Sequence, residues 1–241
     1  MGAERPALGL ALPFFNEEAV VDAVLDELRA WLSAEPRPVQ VALVDNGSRD
    51  QTRARLSAAV GPAGAQGQSQ LQLIVLDENA GYGGGILAGL RALSASANPR
   101  ALGWAWGDGQ VEIGVCSTLL DAVEGGVALA KVHRTQRQDG ALRRLTTRCW
   151  SAWARGMGAQ SVDLNGCPKI FQAELLRGLP LRSTGWFLDA ELVRACEERG
   201  LPVVERPAVM RPRRGGASKV RPRTAITLGL QIAAHRLGWR P

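Results

Sequence analysis

The chain has 241 residues, 46% apolar and 22% charged, with a net charge of +6 and a pI of about 9.8. That suits a soluble globular protein of one large or two small domains, with a basic surface for a polyanion, an anionic membrane face or a phosphorylated ligand. Four scattered cysteines without a CxxC pair, and only two histidines, argue against a zinc site and fit a reduced, cytoplasmic protein; there is no leader-like start, and no apolar stretch reaches the ~20 residues that span a bilayer.

Apolar runs bounded by Pro, Asn and Asp at 8–13 (LGLALP) and 39–44 (VQVALV) read as buried strands. Between them Val20, Val24, Leu28 and Trp31 recur at helical spacing, and the acids before them favour a helix N-terminus. A second helix is expected over 50–60, and the Gly/Ala/Gln stretch 61–70 reads as a flexible insertion. A third strand at 71–76 leads into a glycine-opened helix (GGGILAGLRALSA). A fourth strand at 101–106, a helix around 115–124 and a fifth strand at 127–132 follow. Strands alternating with helices imply a mostly parallel sheet wound on both faces, which binds ligands beyond the carboxyl ends of its strands.

From residue 133 the composition changes. HRTQRQDGALRRLTTR (133–148) holds five arginines, and RPRRGGASKVRPR (211–223) holds five arginines and a lysine. Residues 185–200 form an amphipathic helical pattern between them, and 224–239 a weaker one near the end of the chain. No separate folding unit is apparent, so this half is expected to elaborate the same sheet.

The turn after the first strand, PFFNEEA, has no glycine, and neither a GxGxxG fingerprint nor a GxxxxGK[ST] loop is present. Acids and amides at strand ends can instead hold a base and ribose through hydroxyl and N–H donors. Asp108, in WGDGQ just after the fourth strand and two residues before Gln110, can hold a divalent metal, since hard cations take oxygen ligands and keep only one or two from protein. Each of these features also has a plainer reading. Asp45 to Ser48 can make an Asx turn that caps a helix, Gly83 to Gly85 can serve close packing, and the arginine runs can be a solvated face. Cys167 and His133 read as packing or surface residues. A nucleic-acid partner is not expected, because no recognition motif accompanies the arginines and aromatics make up only 5%.

LALPFFNEEAV, VDNGSRDQT, ENAGYGGGILAGL and WGDGQ, in that order, resemble the successive motifs of family 2 glycosyltransferases of the GT-A fold. RRLTT (143–147), DLNGCPKIF, WFLDAEL and GASK (216–219) resemble the dolichyl- and polyprenyl-phosphate sugar transferase branch. The resemblance runs from about 8 to 222. It implies a Rossmann-like α/β domain over 1–241, with a nucleotide-sugar half (8–132), an acceptor half (133–222) and a C-terminal helix (223–241). Carried over by position, Pro13, Phe14, Asn16, Glu17, Asp45, Asn79 and Gly83 face the nucleotide sugar. Asp108 and Gln110 hold Mg²⁺ or Mn²⁺, and Arg134, Arg143, Thr147, Arg213 and Lys219 surround an acceptor phosphate. The family's Asp-x-Asp appears here as Trp106-Gly107-Asp108, lacking its first carboxylate.

The activity so implied is inverting transfer of a hexose from a GDP- or UDP-sugar to a polyprenyl or dolichyl phosphate, with peripheral contact at the inner face of a membrane. A phosphate acceptor, largely dianionic at neutral pH, attacks without a base. The alternatives are a transferase of the same fold with a soluble acceptor, for which Asp189 is the candidate base with Trp186 beside it at the sugar pocket, and a non-catalytic basic binding module.

Overall fold

The computed structural model describes residues 5–61, 70–135, 161, 163–179 and 181–212. Arg143, Thr147, Arg213, Lys219 and the helix expected over 223–241 lie outside these residues. The described chain forms one seven-stranded sheet in the order β3-β2-β1-β4-β6-β5-β7. The strands are β1 (Leu8–Phe14), β2 (Val39–Asn46), β3 (Leu71–Leu76), β4 (Ala101–Trp104), β5 (Leu129–Thr135), β6 (Lys169–Gln172) and β7 (Val203–Val209). The helices are α1 (Val21–Ala34), α2 (Thr52–Val60), α3 (Gly81–Ser96), α4 (Val115–Glu124), α5 (Glu174–Gly178) and α6 (Phe187–Glu197).

β1 to β4 run parallel, and β5 and β7 pair parallel with each other. β6 alone is reversed, antiparallel to both β4 and β5. The alternation of strands and helices therefore yields a mostly parallel sheet, with one exception. β6 and β7 were not expected as strands: β6 has only four residues, and β7 carries Pro207, which demotes a strand pattern and is tolerated at a sheet edge. The fourth strand stops at Trp104 instead of 106, and the fifth is shifted to 129–135, so Trp106 and Arg134 lie where the chain leaves the sheet.

Each face of the sheet carries a core. Leu8, Leu10, Leu12 and Phe14 of β1 pack with Leu28 and Trp31 of α1 and Leu119 of α4. The other face turns Ala11, Ala42 and Val44 toward Ile86 and Leu90 of α3 and Phe187 of α6. Its residues are small because α3 lies close: a Cβ at Gly89 would sit 2.8 Å from the Ala11 Cβ. Among the described residues no helix is long and apolar enough to cross a membrane.

Candidate active site

The turns after β1 and β2 are stitched together by their own polar side chains. The Asn16 N–H donates to Ser48 Oγ (3.1 Å), and its side-chain carbonyl accepts from the Arg49 N–H (2.8 Å). The Glu17 N–H donates to Thr52 Oγ1 (2.8 Å). Asp50 accepts from the N–H groups of Glu18 and Thr52, and Glu18 accepts from the Gln51 N–H, so the Glu18 carboxylate turns to the head of α2 rather than of α1. Asn16 pays for this with a positive φ of 50°, which Asn tolerates better than most residues. Asp45 is fully buried, accepts from the Ser48 N–H and Arg53 Nε (2.7 Å), and does not line the cleft described below. Asp45 and Ser48 thus bond to each other as the plainer reading allowed, but ahead of α2 rather than as its cap.

Asn46, one residue on and given from sequence only a part in the expected Asx turn, holds the β3–α3 turn. Its amide donates to the Gly81 carbonyl (2.9 Å) and its oxygen accepts from the Ala80 N–H (3.0 Å). Asn79 accepts from the Gly81 N–H at the head of α3. The Gly83 N–H donates to the Thr184 carbonyl at 2.7 Å, and a Cβ on Gly83 would lie 2.1 Å from the Ser183 carbonyl oxygen. That glycine serves the close approach of the 183–185 loop to α3, and its backbone donor is used there.

These turns surround a cleft of about 270 Å³ at the carboxyl ends of β1, β2 and β4. Pro13, Phe14, Glu17 and Asn79, all assigned to the nucleotide sugar from sequence, line it together with Asn46 and Asp108. The chain has seven Trp, one Tyr and four Phe, and five of these line this cleft, giving it a largely aromatic wall: Phe14, Phe15, Tyr82, Trp106 and Trp186. Tyr82 and Trp186 stack at 4.1 Å, and Trp106 Nε1 donates to the Tyr82 hydroxyl (2.9 Å). Trp106 stands where the family pattern has its first carboxylate. Asp108 follows β4 in a turn closed by the Gln110 N–H on its Oδ1 (3.1 Å) and by Gly109 at φ 66°. Gln110 is not among the lining residues; its side-chain amide donates to the Arg211 carbonyl (3.3 Å).

Beyond the aromatic wall lies a set of buried charges on β5, β6 and their neighbours. Arg134 is forked onto Asp163 by two bonds of 2.7 Å and lies 5.2 Å from the Trp106 ring centre, so its guanidinium is already occupied by a carboxylate. Burial pushes the Asp163 carboxyl up, but the bonds and charge of Arg134 outweigh it and hold it well below the usual carboxylate range. Asp189 is fully buried beneath the wall, with Lys169 Nζ 2.5 Å from its Oδ1. Burial, then the Asp189 charge, pushes the Tyr82 hydroxyl well above its ordinary value. Lys131 pairs with Glu205 at 2.6 Å; burial and the neighbouring Lys169 push it down. Periodicity gave no sign of lysines inside strands, and only an unexpected Lys in an apolar run (ALAKV, CPKIF) marked them. Among the described residues no three His, Cys, Asp or Glu side chains converge as a protein-only metal cage.

The structure is similar to glucosyl-3-phosphoglycerate synthase from Mycobacterium tuberculosis, solved with Mn²⁺, UDP and glucosyl-3-phosphoglycerate. The likeness has a TM-score of 0.66 and 20% identity over 98% of this chain and 81% of that one. A complex of the same synthase with Mn²⁺, UDP-glucose and phosphoglyceric acid gives 0.68 and 19% over the same shares, and a structure described as a mycobacterial protein gives 0.69 and 19% over 98% and 76%. At that identity the likeness shows the fold. No curated protein matches the chain. The family model described as "Glycosyl transferase family 2" matches residues 10–176, which runs from within β1 through β6 and takes in both turns stitched together above and the Asp108 loop, and the chain belongs to that family.

Proposed function

We propose that this glycosyltransferase moves a hexose, with inversion, from a UDP-sugar to a soluble small-molecule acceptor. The observation that carries the reading is the carboxylate of Asp108, directly after β4, facing the same cleft as Pro13, Phe14 and Glu17 at the end of β1. The choice of UDP and of a soluble acceptor is supported by the similar structures, which hold UDP with glucosyl-3-phosphoglycerate or UDP-glucose with phosphoglyceric acid.

The donor set suits a divalent cation shared with the substrate. Asp108, a hard carboxylate at an open cleft that Glu17 also lines, with no protein cage among the described residues, fits Mg²⁺ or Mn²⁺ completed by diphosphate oxygens and water. The similar synthase was solved with either ion. When bound, such an ion neutralises charge growing on the leaving diphosphate. Asp108 would hold it, and Gln110 stands beside that position. Pro13 and Phe14 form the wall for the nucleoside, and Tyr82, Trp106 and Trp186 the wall for the ring being transferred. The acceptor oxygen bonds to the anomeric carbon as the bond from that carbon to the diphosphate oxygen breaks. A hydroxyl acceptor must give up its proton, and Asp189 is the nominated base; Tyr82 is the residue through which it meets the cleft, with its ring lining the cleft and its hydroxyl beside Asp189.

A polyprenyl phosphate acceptor is the second reading, favoured by the basic runs at 133–148 and 211–223 and by Arg143, Thr147, Arg213 and Lys219 within them. One experiment separates the two. UDP-glucose binding is measured calorimetrically with and without Mn²⁺ in the parent and in Asp108→Asn, and UDP release is then followed with phosphoglyceric acid and with a short polyprenyl phosphate. The expected result is Mn²⁺-dependent binding weakened at least about tenfold by the substitution, with turnover on the soluble acceptor. Turnover on the lipid phosphate alone selects the second reading, and failure to bind any uridine nucleotide overturns the first.

A further inference from the structure

We infer that Arg211 is a positioning residue for Asp108. It lies just past β7, a hundred residues from the loop it holds, and three sets of contacts converge on it. Its N–H donates to the Gln110 carbonyl at 2.7 Å, and its own carbonyl accepts from Gln110 Nε2 at 3.3 Å. Its guanidinium reaches Glu27 of α1 at 2.7 Å and Glu112 at 3.1 Å. The other oxygen of Glu27 accepts from the Ile113 N–H at 2.9 Å.

Residues 110–113 are thereby held at both ends, by Arg211 at Gln110 and Glu112 and by Glu27 at Ile113. The Asp108 carboxylate is linked to the same segment through its bond with the Gln110 N–H. With Gly109 in the left-handed region, the turn has little stiffness of its own, so its orientation is set by what clamps the residues after it. Outer contacts of this kind orient a metal-binding carboxylate, and their loss costs about 10–100-fold in metal affinity. The side chain of Gln110 then acts through Arg211 rather than as a ligand. The sequence placed Arg211 only at the start of a basic run.

The inference rests on Asp108 binding the metal, so the test includes that residue. Mn²⁺ binding to the UDP complex and UDP binding without metal are measured by calorimetry for the parent, Arg211→Ala, Gln110→Ala and Asp108→Asn, with a thermal melt of each. Arg211→Ala should weaken Mn²⁺ about tenfold and leave metal-free UDP within twofold. Gln110→Ala keeps the ion pairs of Arg211 and should show the same selective loss to a smaller degree, which keeps the test valid if Arg211→Ala folds poorly. Mn²⁺ affinity unchanged in both variants, or metal-free UDP weakened just as much, overturns the positioning role while a loss in Asp108→Asn leaves the functional reading standing. Parent-like Mn²⁺ binding in Asp108→Asn overturns that reading and the inference built on it.

Discussion

Lys169 and Asp189 are each 0% exposed and meet at 2.5 Å inside the molecule, with the Lys169 ammonium 5.6 Å from the Trp104 ring centre. Two charges taken out of water gain little net stability together, but removing one strands the other. Asp189→Asn should therefore cost about 3–5 kcal/mol in urea unfolding. The double variant Lys169→Met/Asp189→Leu should recover most of that loss, since apolar groups of similar size replace the pair. Failure of the double variant to exceed the single one in stability would contradict the pairing. Stability restored without turnover would mark the carboxylate as chemically used as well as structurally paired, which is the role nominated for it with a hydroxyl acceptor.

At the scale of elements, the head of α3 and the loop before α6 form the inner wall of the cleft, and their contact is made of backbone. Gly83 and Gly84 both donate to the Thr184 carbonyl, and no side chain fits between. Gly83→Ala should push the 183–185 loop away, separate the Tyr82–Trp186 stack and lower stability by about 1–3 kcal/mol. Tryptophan emission and urea melts would register both effects. Gly185→Ala is the control: its Cβ meets nothing within 4 Å, so both readouts should stay at parent values. The sequence showed that α3 opens with glycines but left two readings, contact with the nucleotide sugar or close packing. The deciding partner, Thr184, lies a hundred residues away, and no local pattern could name it.

For the molecule as a whole, the end of the sheet opposite the cleft is bolted by one charge network. Arg37, entering β2, binds Glu35 at 2.6 Å, Asp121 at 2.6 Å and Glu124 at 3.1 Å, joining the end of α1 to α4. Ser117 bridges the two by donating to Glu35 and accepting from Trp31 Nε1. The bond from Arg37 outweighs burial and holds the Glu35 carboxyl down to about 2, against 4.5 ordinarily. Since the folded value is the lower one, the stabilisation is complete above about pH 4.5 and is lost as pH falls through about 2. It amounts to roughly 2–3 kcal/mol. Urea melts of Glu35→Gln should fall short of the parent by that amount at pH 7 and converge with it toward pH 2; a deficit independent of pH would show that the loss is not electrostatic.

The alternating strands and helices, the sheet covered on both faces and the position of the cleft at the carboxyl ends of the strands can all be read along the chain. These follow from contiguous residues: apolar periodicity declares an element, and turn residues declare where it stops. Asp108 was legible for the same reason, as an acid directly after an apolar run. Which polar groups face the cleft and which face one another depends on the folded chain. Asp45 is spent on Arg53, Arg134 on Asp163 and Gly83 on Thr184, while Asn46 and Arg211 hold the loops of the site. Apart from Asp45 and Arg53, those partners lie about thirty to a hundred residues apart and meet because the sheet order sets their turns side by side. A carboxylate or guanidinium looks the same in sequence whether a ligand or another side chain satisfies it, and burial beside a particular neighbour makes the choice.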